Sequence, residues 1–327
     1  MELVIVTGTA NRPLAEDVGK ILHSKIGINL GEATVGRFAD GEVDLALPEV
    51  RGRHVVILQP TPPPAENWIE IILMADAAVS SSAGEVTVFM PYMGCARQDR
   101  KDKPHCPISA RAMIKAVEAQ QIKRFMTMDL HTPQEQGFTQ LPFDNMYLSP
   151  ILLEFHRGLP WRTGVVIVSP DAGGVPRARA VAKKLGCEVA FIDKRRDGPN
   201  QAEVMHVVGE VKGKIAVMLD DQIDTAGTLT KGAQALLDEG ATEVHAVASH
   251  GILSRNQDPA KDSIERLKCS PLKTIVLSDT VPIPPEKRFD RMHIVSCAPL
   301  AAEMIRRVHN RDPVSPLFEE AFSWVVK

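Results

Sequence analysis

Aromatic side chains are scarce, making up 5% of the 327 residues, with Trp 3, Tyr 2 and Phe 10. So small a supply argues against a base-stacking platform or an aromatic-rich binding surface. Cysteine is equally thin. Cys95, Cys106, Cys187, Cys269 and Cys297 are odd in number, widely spread and never form a C-x-x-C pair. That pattern argues against a disulfide framework or a zinc site and predicts reduced thiols in a cytoplasmic protein. Charge of one sign is not in excess either: Lys+Arg 38 against Asp+Glu 41 leaves a net charge of -3, so nucleic acid is not an expected partner. Long apolar runs are missing. The longest, Trp68 to Val79, is interrupted by Glu70 and Asp76; it is too short for a membrane span and predicts an amphipathic helix. Met1-Glu2-Leu3 enters an apolar stretch ending at Gly8 without a basic region or a cleavage site, so no secretory signal and no membrane partner are expected.

What is present is the make-up of a globular protein, 44% hydrophobic and 24% charged. At roughly 150 residues per domain the length predicts about two domains. Short β-branched runs recur at Leu3–Val6, His54–Leu58, Val86–Met90, Phe125–Met128, Val165–Val168, Val189–Ile192, Ile215–Leu219, Val244–Ala248 and Lys273–Leu277. Helical patterns separate them, among them Pro13–Lys25, Ser109–Gln121, Val175–Leu185 and Thr228–Glu239. Several strands are apolar throughout, as expected where helices cover both faces of a sheet. The alternation predicts an α/β protein of two similar domains, each a mostly parallel sheet flanked by helices. Proline and glycine between Leu141 and Gly164 mark the boundary. The expected division is an N-terminal domain over 1–147, a second over 148–298, and a C-terminal helix and tail over 299–327 that packs back on the first. Pro60-Thr61-Pro62-Pro63-Pro64 predicts a stiff surface turn.

The strongest local feature follows the apolar strand at Ile215. Asp220 and Asp221 stand at its carboxyl end, where open α/β sheets bind ligands, and the small, hydroxyl-bearing stretch Asp224-Thr225-Ala226-Gly227-Thr228 leads into a helix. Backbone N–H groups there would form an anion nest. The two acids would suit ribose hydroxyls or a hard cation. A helix merely capped by Asp224 or Thr225 would account for one polar residue but not for the paired acids. This loop resembles the PRPP-binding loop shared by phosphoribosyltransferases and PRPP synthases. No Walker A loop occurs, and no G-x-G-x-x-G follows a strand.

Other strand ends also carry chemistry. Arg97-Gln98-Asp99-Arg100-Lys101 follows Val86–Met90, with guanidinium forks suited to phosphate oxygens. Asp129 to Phe138, with His131, follows the next strand, and Ser169-Pro170-Asp171-Ala172-Gly173-Gly174 repeats the arrangement further on. Phe38-Ala39-Asp40-Gly41-Glu42 is a turn with an aromatic and two acids.

Together with Gly8 to Asn11, Lys194-Arg195-Arg196 and Ser249-His250-Gly251, these segments closely resemble, in their order along the chain, the ribose-phosphate pyrophosphokinase or PRPP synthase family. The resemblance covers nearly the whole chain. It implies phosphoribosyltransferase-like domains and transfer of the diphosphoryl group of Mg-ATP to the anomeric hydroxyl of ribose 5-phosphate, giving PRPP and AMP. By that resemblance Phe38, Asp40 and Glu42 hold the adenine of a neighbouring subunit, while Arg97, Gln98, Asp99 and His131 contact the nucleotide. His131 and Asp171 would lie at Mg2+. Asp220, Asp221, Asp224, Thr225, Ala226, Gly227 and Thr228 would hold ribose 5-phosphate, and Lys194 and Arg196 would act from a mobile loop on the transferred group. The implied partners are ATP, ribose 5-phosphate and further copies of the chain, at least a dimer and by family habit a hexamer. Asp102 to Pro107, Leu47-Pro48-Glu49 and Val314 to Phe318 depart from the pattern of the phosphate- and ADP-regulated members. Two alternatives share parts of the pattern: a phosphoribosyltransferase that consumes PRPP, and a catalytically silent homologue that modulates active subunits.

Overall fold

A computed structural model describes residues 1–195 and 204–319. By internal contacts the chain forms two units: Met1–Tyr147 with Thr280–Pro282 and Ser296–Phe318, and Leu148–Asp279 with Ile283–Val295.

In the first unit, β1 (Leu3–Val6) leads into α1 (Arg12–Ile26), whose start is fixed by Asn11 Oδ1 accepting the Leu14 N–H at 3.3 Å. A hairpin of β2 (Thr34–Arg37) and β3 (Val43–Ala46) follows, forming its own two-stranded sheet. Then come β4 (His54–Leu58), α2 (Glu66–Ser80), β5 (Glu85–Met90), α3 (Ser109–Glu118), β6 (Arg124–Met128) and β7 (Phe143–Met146). The five-stranded sheet has the order β1-β4-β5-β6-β7, and every neighbouring pair is parallel. All five residues of β4 are buried, because α1 and α2 bring Leu14, Val18, Ile71 and Met74 to the core. The expected surface turn at Pro60–Pro64 is half wrong. Thr61 is buried; its hydroxyl accepts the Gly94 N–H at 2.7 Å and bonds the Tyr92 carbonyl at 3.2 Å.

The second unit opens on the short α4 (Ser149–Glu154) and α5 (Trp161–Gly164). It continues through β8 (Val165–Ser169), α6 (Val175–Leu185), β9 (Glu188–Arg195), β10 (Val204–Val208), β11 (Ile215–Ile223) and α7 (Gly227–Asp238). It closes with β12 (Glu243–Gly251), α8 (Ser263–Cys269), β13 (Thr274–Ser278) and β14 (Met292–Val295). The seven-stranded order is β10-β9-β8-β11-β12-β13-β14. Only the β9–β10 pair is antiparallel. Two strands outrun their apolar cores: β11 runs on through Asp220 and Asp221 to Ile223, and β12 through Ser249 and His250 to Gly251. Pairing of Gln222 with His250 and Ile223 with Gly251 satisfies the backbone of that extension. Lys194 and Arg195, expected in a loop, are strand residues of β9, Lys194 opposite Met205; Arg196 lies outside the described residues.

The chain then returns to the first unit, where α9 (Ala298–Asn310) packs on α1. Lys25 Nζ meets Glu303 at 3.3 Å, and the His309 and His54 rings stack with centroids 5.3 Å apart. Among the described residues no helix is long and apolar enough to cross a membrane, and all five cysteines are free thiols.

A second group of imidazoles lies in the second unit. His156 Nε2 and His245 Nδ1 both reach Thr274 Oγ1, at 2.8 and 2.7 Å, and the two rings meet edge to face. Burial, with His245 and His293 adding to it, pushes the His156 pKa down to about 3. The unfolded chain therefore binds this proton at about pH 6.5 and the folded chain does not. His156 thus contributes stability that is present above about pH 6.5 and lost as pH falls toward 3. The melting midpoint of a His156→Gln variant should lie below that of the parent at pH 7, and the gap should narrow as pH falls to 4. A gap that stays constant across that range would rule out this titration.

Candidate functional site

Ligands of open α/β sheets sit at carboxyl strand ends, above all where the strand order reverses. In the second unit that point lies between β8 and β11, because the chain leaves β8 toward β9 and later continues from β11 toward β12. The loops after these two strands carry Asp171 and Asp224–Thr228. Asp171 Oδ1 accepts the Gly174 N–H at 3.0 Å, and its carbonyl accepts the Ser169 hydroxyl at 2.7 Å, so the turn is preset before α6 begins. After β11 the chain passes through Ala226 in the left-handed region, φ 59°, and α7 starts with no side-chain cap. The residue at the N-cap position of α7 is Ala226, not the expected Asp224 or Thr225. Asp224 instead accepts a hydrogen bond from the Ser254 hydroxyl. A helix start behind a left-handed alanine presents backbone N–H groups to an anion.

The two acids lie within β11 rather than after it. Asp220 Oδ1 accepts the Asp221 N–H at 2.9 Å, and Asp221 pairs with Arg177 at 3.1 Å. Burial, then the charge of Asp221, pushes the Asp220 carboxyl well above its usual value, and Asp171 adds to the same field. Asp221 and Asp171 thus both act on the buried Asp220 beside this loop, a repulsion that hydrogen bonds from sugar hydroxyls would relieve. Sequence reading missed Arg177 and Arg266. Arg177 answers the buried acids from α6. Arg266 braces the loop from α8, its guanidinium donating to the Thr225 carbonyl at 3.0 Å and the Ala260 carbonyl at 2.8 Å. Paired acids inside an apolar strand were a signal that some cation must face them; nothing in the sequence pointed to Arg266.

In the first unit the loops after β5 and β6 come together. Thr132 Oγ1 donates to Asp99 Oδ2 at 3.1 Å, which ties Arg97–Lys101 to the His131 segment. Thr132 also opens the 3-10 turn Pro133–Phe138 in a capping box with Glu135, whose Oε1 accepts the Thr132 N–H at 2.9 Å. Glu135 is fully buried, and burial raises its pKa to about 7. The T-x-x-E spacing was a legible signal for this brace. Gln98 accepts a hydrogen bond from Ser109 at the start of α3, while Arg97 is exposed. The hairpin tip is closed by Phe38 N–H to the Glu42 carbonyl at 2.8 Å and Glu42 N–H to Asp40 Oδ1 at 3.1 Å, leaving Phe38 55% exposed. Asp40 and Glu42 are exposed beside it. Asp99 and His131 are thus brought together, Asp220 and Asp221 likewise, while the hairpin tip stands on a sheet of its own.

Two family models match the chain, one for the N-terminal domain of ribose phosphate pyrophosphokinase over residues 3–120 and one for a phosphoribosyl synthetase-associated domain over residues 196–319. The chain is 46% identical to the ribose-phosphate pyrophosphokinase of Caldanaerobacter subterraneus subsp. tengcongensis, with 97% of this chain and 98% of the relative aligned. It belongs to the ribose-phosphate pyrophosphokinase family. The pyrophosphokinase of Bordetella parapertussis is 45% identical over 97% of this chain and all of its own length. Among solved structures, the phosphoribosylpyrophosphate synthetase of Mycobacterium smegmatis superposes with a TM-score of 0.86 at 34% identity, covering 95% of this chain and 100% of its own. Likeness to pyrophosphokinases along both units, rather than along the ribose-phosphate loop alone, sets aside the reading of a phosphoribosyltransferase that consumes PRPP.

Proposed function

We propose that this pyrophosphokinase transfers the diphosphoryl group of ATP to ribose 5-phosphate, with the nucleotide held by the first unit and the sugar by the second. The anomeric hydroxyl attacks the β-phosphorus and loses its proton to solvent. The new bond joins that oxygen to the β-phosphorus, the bond to the oxygen bridging the α- and β-phosphates breaks, and AMP departs with that oxygen. Such a transfer demands alignment and charge neutralisation more than covalent help from the protein.

Asp224–Thr228 would bind the 5-phosphate through backbone N–H groups, and Asp220 and Asp221 the ribose hydroxyls. Arg97, Gln98, Asp99 and His131 would contact the nucleotide, with Phe38, Asp40 and Glu42 holding adenine. Lys194 and Arg196 would stabilise charge on the diphosphoryl group and on leaving AMP. The carboxylate oxygens of Asp171 are donors of the kind Mg2+ takes; among the described residues no group of three or more His, Cys, Asp or Glu is placed to hold a metal. When bound, Mg2+ neutralises phosphate charge and holds the chain of phosphates in one conformation.

The observation that carries this reading is the left-handed entry into α7 at Ala226 beside the buried Asp220, on which Asp221 and Asp171 act, in a chain aligned with pyrophosphokinases along almost all its length. The test is release of AMP and formation of PRPP from ATP and ribose 5-phosphate by the purified chain. Absence of both, with and without inorganic phosphate, would overturn the reading and revive that of a silent homologue. If the Phe38–Glu42 tip serves a neighbouring subunit, the active species sediments as a dimer or larger; an active monomer would refute that role.

A further inference from the structure

The turn Gly8–Asn11, singled out in the sequence, has no part in the reaction as described, and neither does the buried acid it touches. Glu70 of α2 is wholly buried, yet its carboxylate is fully satisfied. One oxygen accepts the Thr9 hydroxyl at 2.7 Å and Arg37 at 2.8 Å; the other accepts the Thr9 N–H and Gln59 Nε2, both at 2.8 Å. These donors come from the turn after β1, the residue after β4 and the end of β2. A Cβ on Gly8 would stand 2.4 Å from that carboxylate, so glycine alone lets the turn lie against it. A buried carboxylate is tolerable only when its acceptor sites are used in this way.

Arg37 is the last residue of β2 and directly precedes Phe38. Its guanidinium also donates to the Gly36 carbonyl at 3.0 Å, which fixes the side chain against its own strand. The hairpin forms no part of the five-stranded sheet, and an isolated two-stranded hairpin is at best marginally stable in water. On the β3 side Leu45 and Leu47 pack on the core. On the β2 side the ion pair between Arg37 and Glu70 is the tether nearest the tip.

We propose that Glu70 is a positioning residue which, through Arg37, sets the pose of the Phe38–Glu42 tip and so the affinity of the enzyme for its nucleotide. The inference rests on the reading of that tip as the adenine-holding segment. It gives the Gly8–Asn11 turn a role, as the third wall of the socket that holds Glu70 still.

The test measures KM for ATP, KM for ribose 5-phosphate, kcat and the melting midpoint for Arg37→Ala, Glu70→Gln, their double variant, Arg37→Lys and Phe38→Ala. A hydrogen bond to a charged group is worth enough that Arg37→Ala should raise the ATP KM about tenfold or more. The ribose 5-phosphate KM should stay within about twofold; the melting midpoint should fall, because the buried Glu70 loses its cationic partner, but the fold should persist on the three donors that remain from Thr9 and Gln59. The double variant should raise the ATP KM no further than the more severe single change, since both act through one contact. Arg37→Lys should recover part of the loss. If Phe38→Ala raises the ATP KM and Arg37→Ala does not, the positioning role is overturned while the adenine reading stands. If neither substitution changes it, the adenine reading itself fails and the positioning role falls with it. An equal rise in both KM values would mark Glu70 as merely structural and would also overturn the proposal.

Discussion

Replacing Lys194 with alanine is expected to lower the rate of AMP release by about 100- to 1,000-fold, the usual cost of removing one preorganised group from a developing charge. The diphosphoryl group and departing AMP carry the charge that builds up in the transition state. A lysine is a compact point charge suited to that task. The fold should survive the change, because Lys194 is a β9 residue whose pairing with Met205 in β10 is made by the backbone. A shortened side chain leaves that ladder intact. The informative pattern is a large fall in kcat with the melting midpoint and the substrate KM values close to those of the parent. A rate within twofold of the parent would remove Lys194 from the catalytic set, whatever happens to stability.

The second large effect is on the fold itself. In Gly94→Ala the new Cβ would stand 2.0 Å from the Thr61 carbonyl oxygen, with Trp68 Nε1 another 3.3 Å away. Neither neighbour can give. Thr61 is tied to the same loop by its N–H to the Tyr92 carbonyl at 2.9 Å, and its hydroxyl takes the Gly94 N–H at 2.7 Å. The clash is therefore with buried backbone at the mouth of two strands. Such overpacking belongs to the class that costs roughly 4 kcal/mol or more, a large share of what holds a domain together. We expect little soluble protein, or a melting midpoint lower by at least about 10 °C. Any protein recovered should also bind ATP poorly, because Gly94 begins the loop that carries Arg97 to Asp99. A midpoint within about 2 °C of the parent would show that the Thr61 segment yields more readily than its hydrogen bonds imply.

The buried apolar strands could be read from residue order because burial on both faces demands an unbroken run of such residues. His54–Leu58 and Val165–Val168 are of this kind. Strands with one wet face carry no such run. Val43–Ala46 alternates between half-buried and exposed, and in Thr34–Arg37 only Val35 and Gly36 are half-buried, so neither shows as a strand in the residue order. The edge strands β7 and β14 are only four residues long and hold Asp144, Asn145 and His293. The chemistry was legible where a motif is local, as in Asp220 to Thr228. It was illegible where function depends on a distant partner. Arg177 meets Asp221 across 44 positions, and Arg37 meets Glu70 across 33; no local pattern announces either contact. The extension of β11 through its two acids was hidden for the same reason, since it rests on pairing with β12 and on Arg177.

The return of α9 to α1 has a consequence for the birth of the protein. The first unit is completed by Ser296–Phe318, which leave the ribosome only after every strand of the second unit has been made. At bacterial or eukaryotic elongation rates of about 5 to 20 residues per second, that interval is on the order of ten seconds. Throughout it the face of α1 that takes up α9 waits uncovered on the nascent chain, and the order of synthesis inverts the order of completion. The sheet that is translated first gains its last covering helix only after the second sheet is complete.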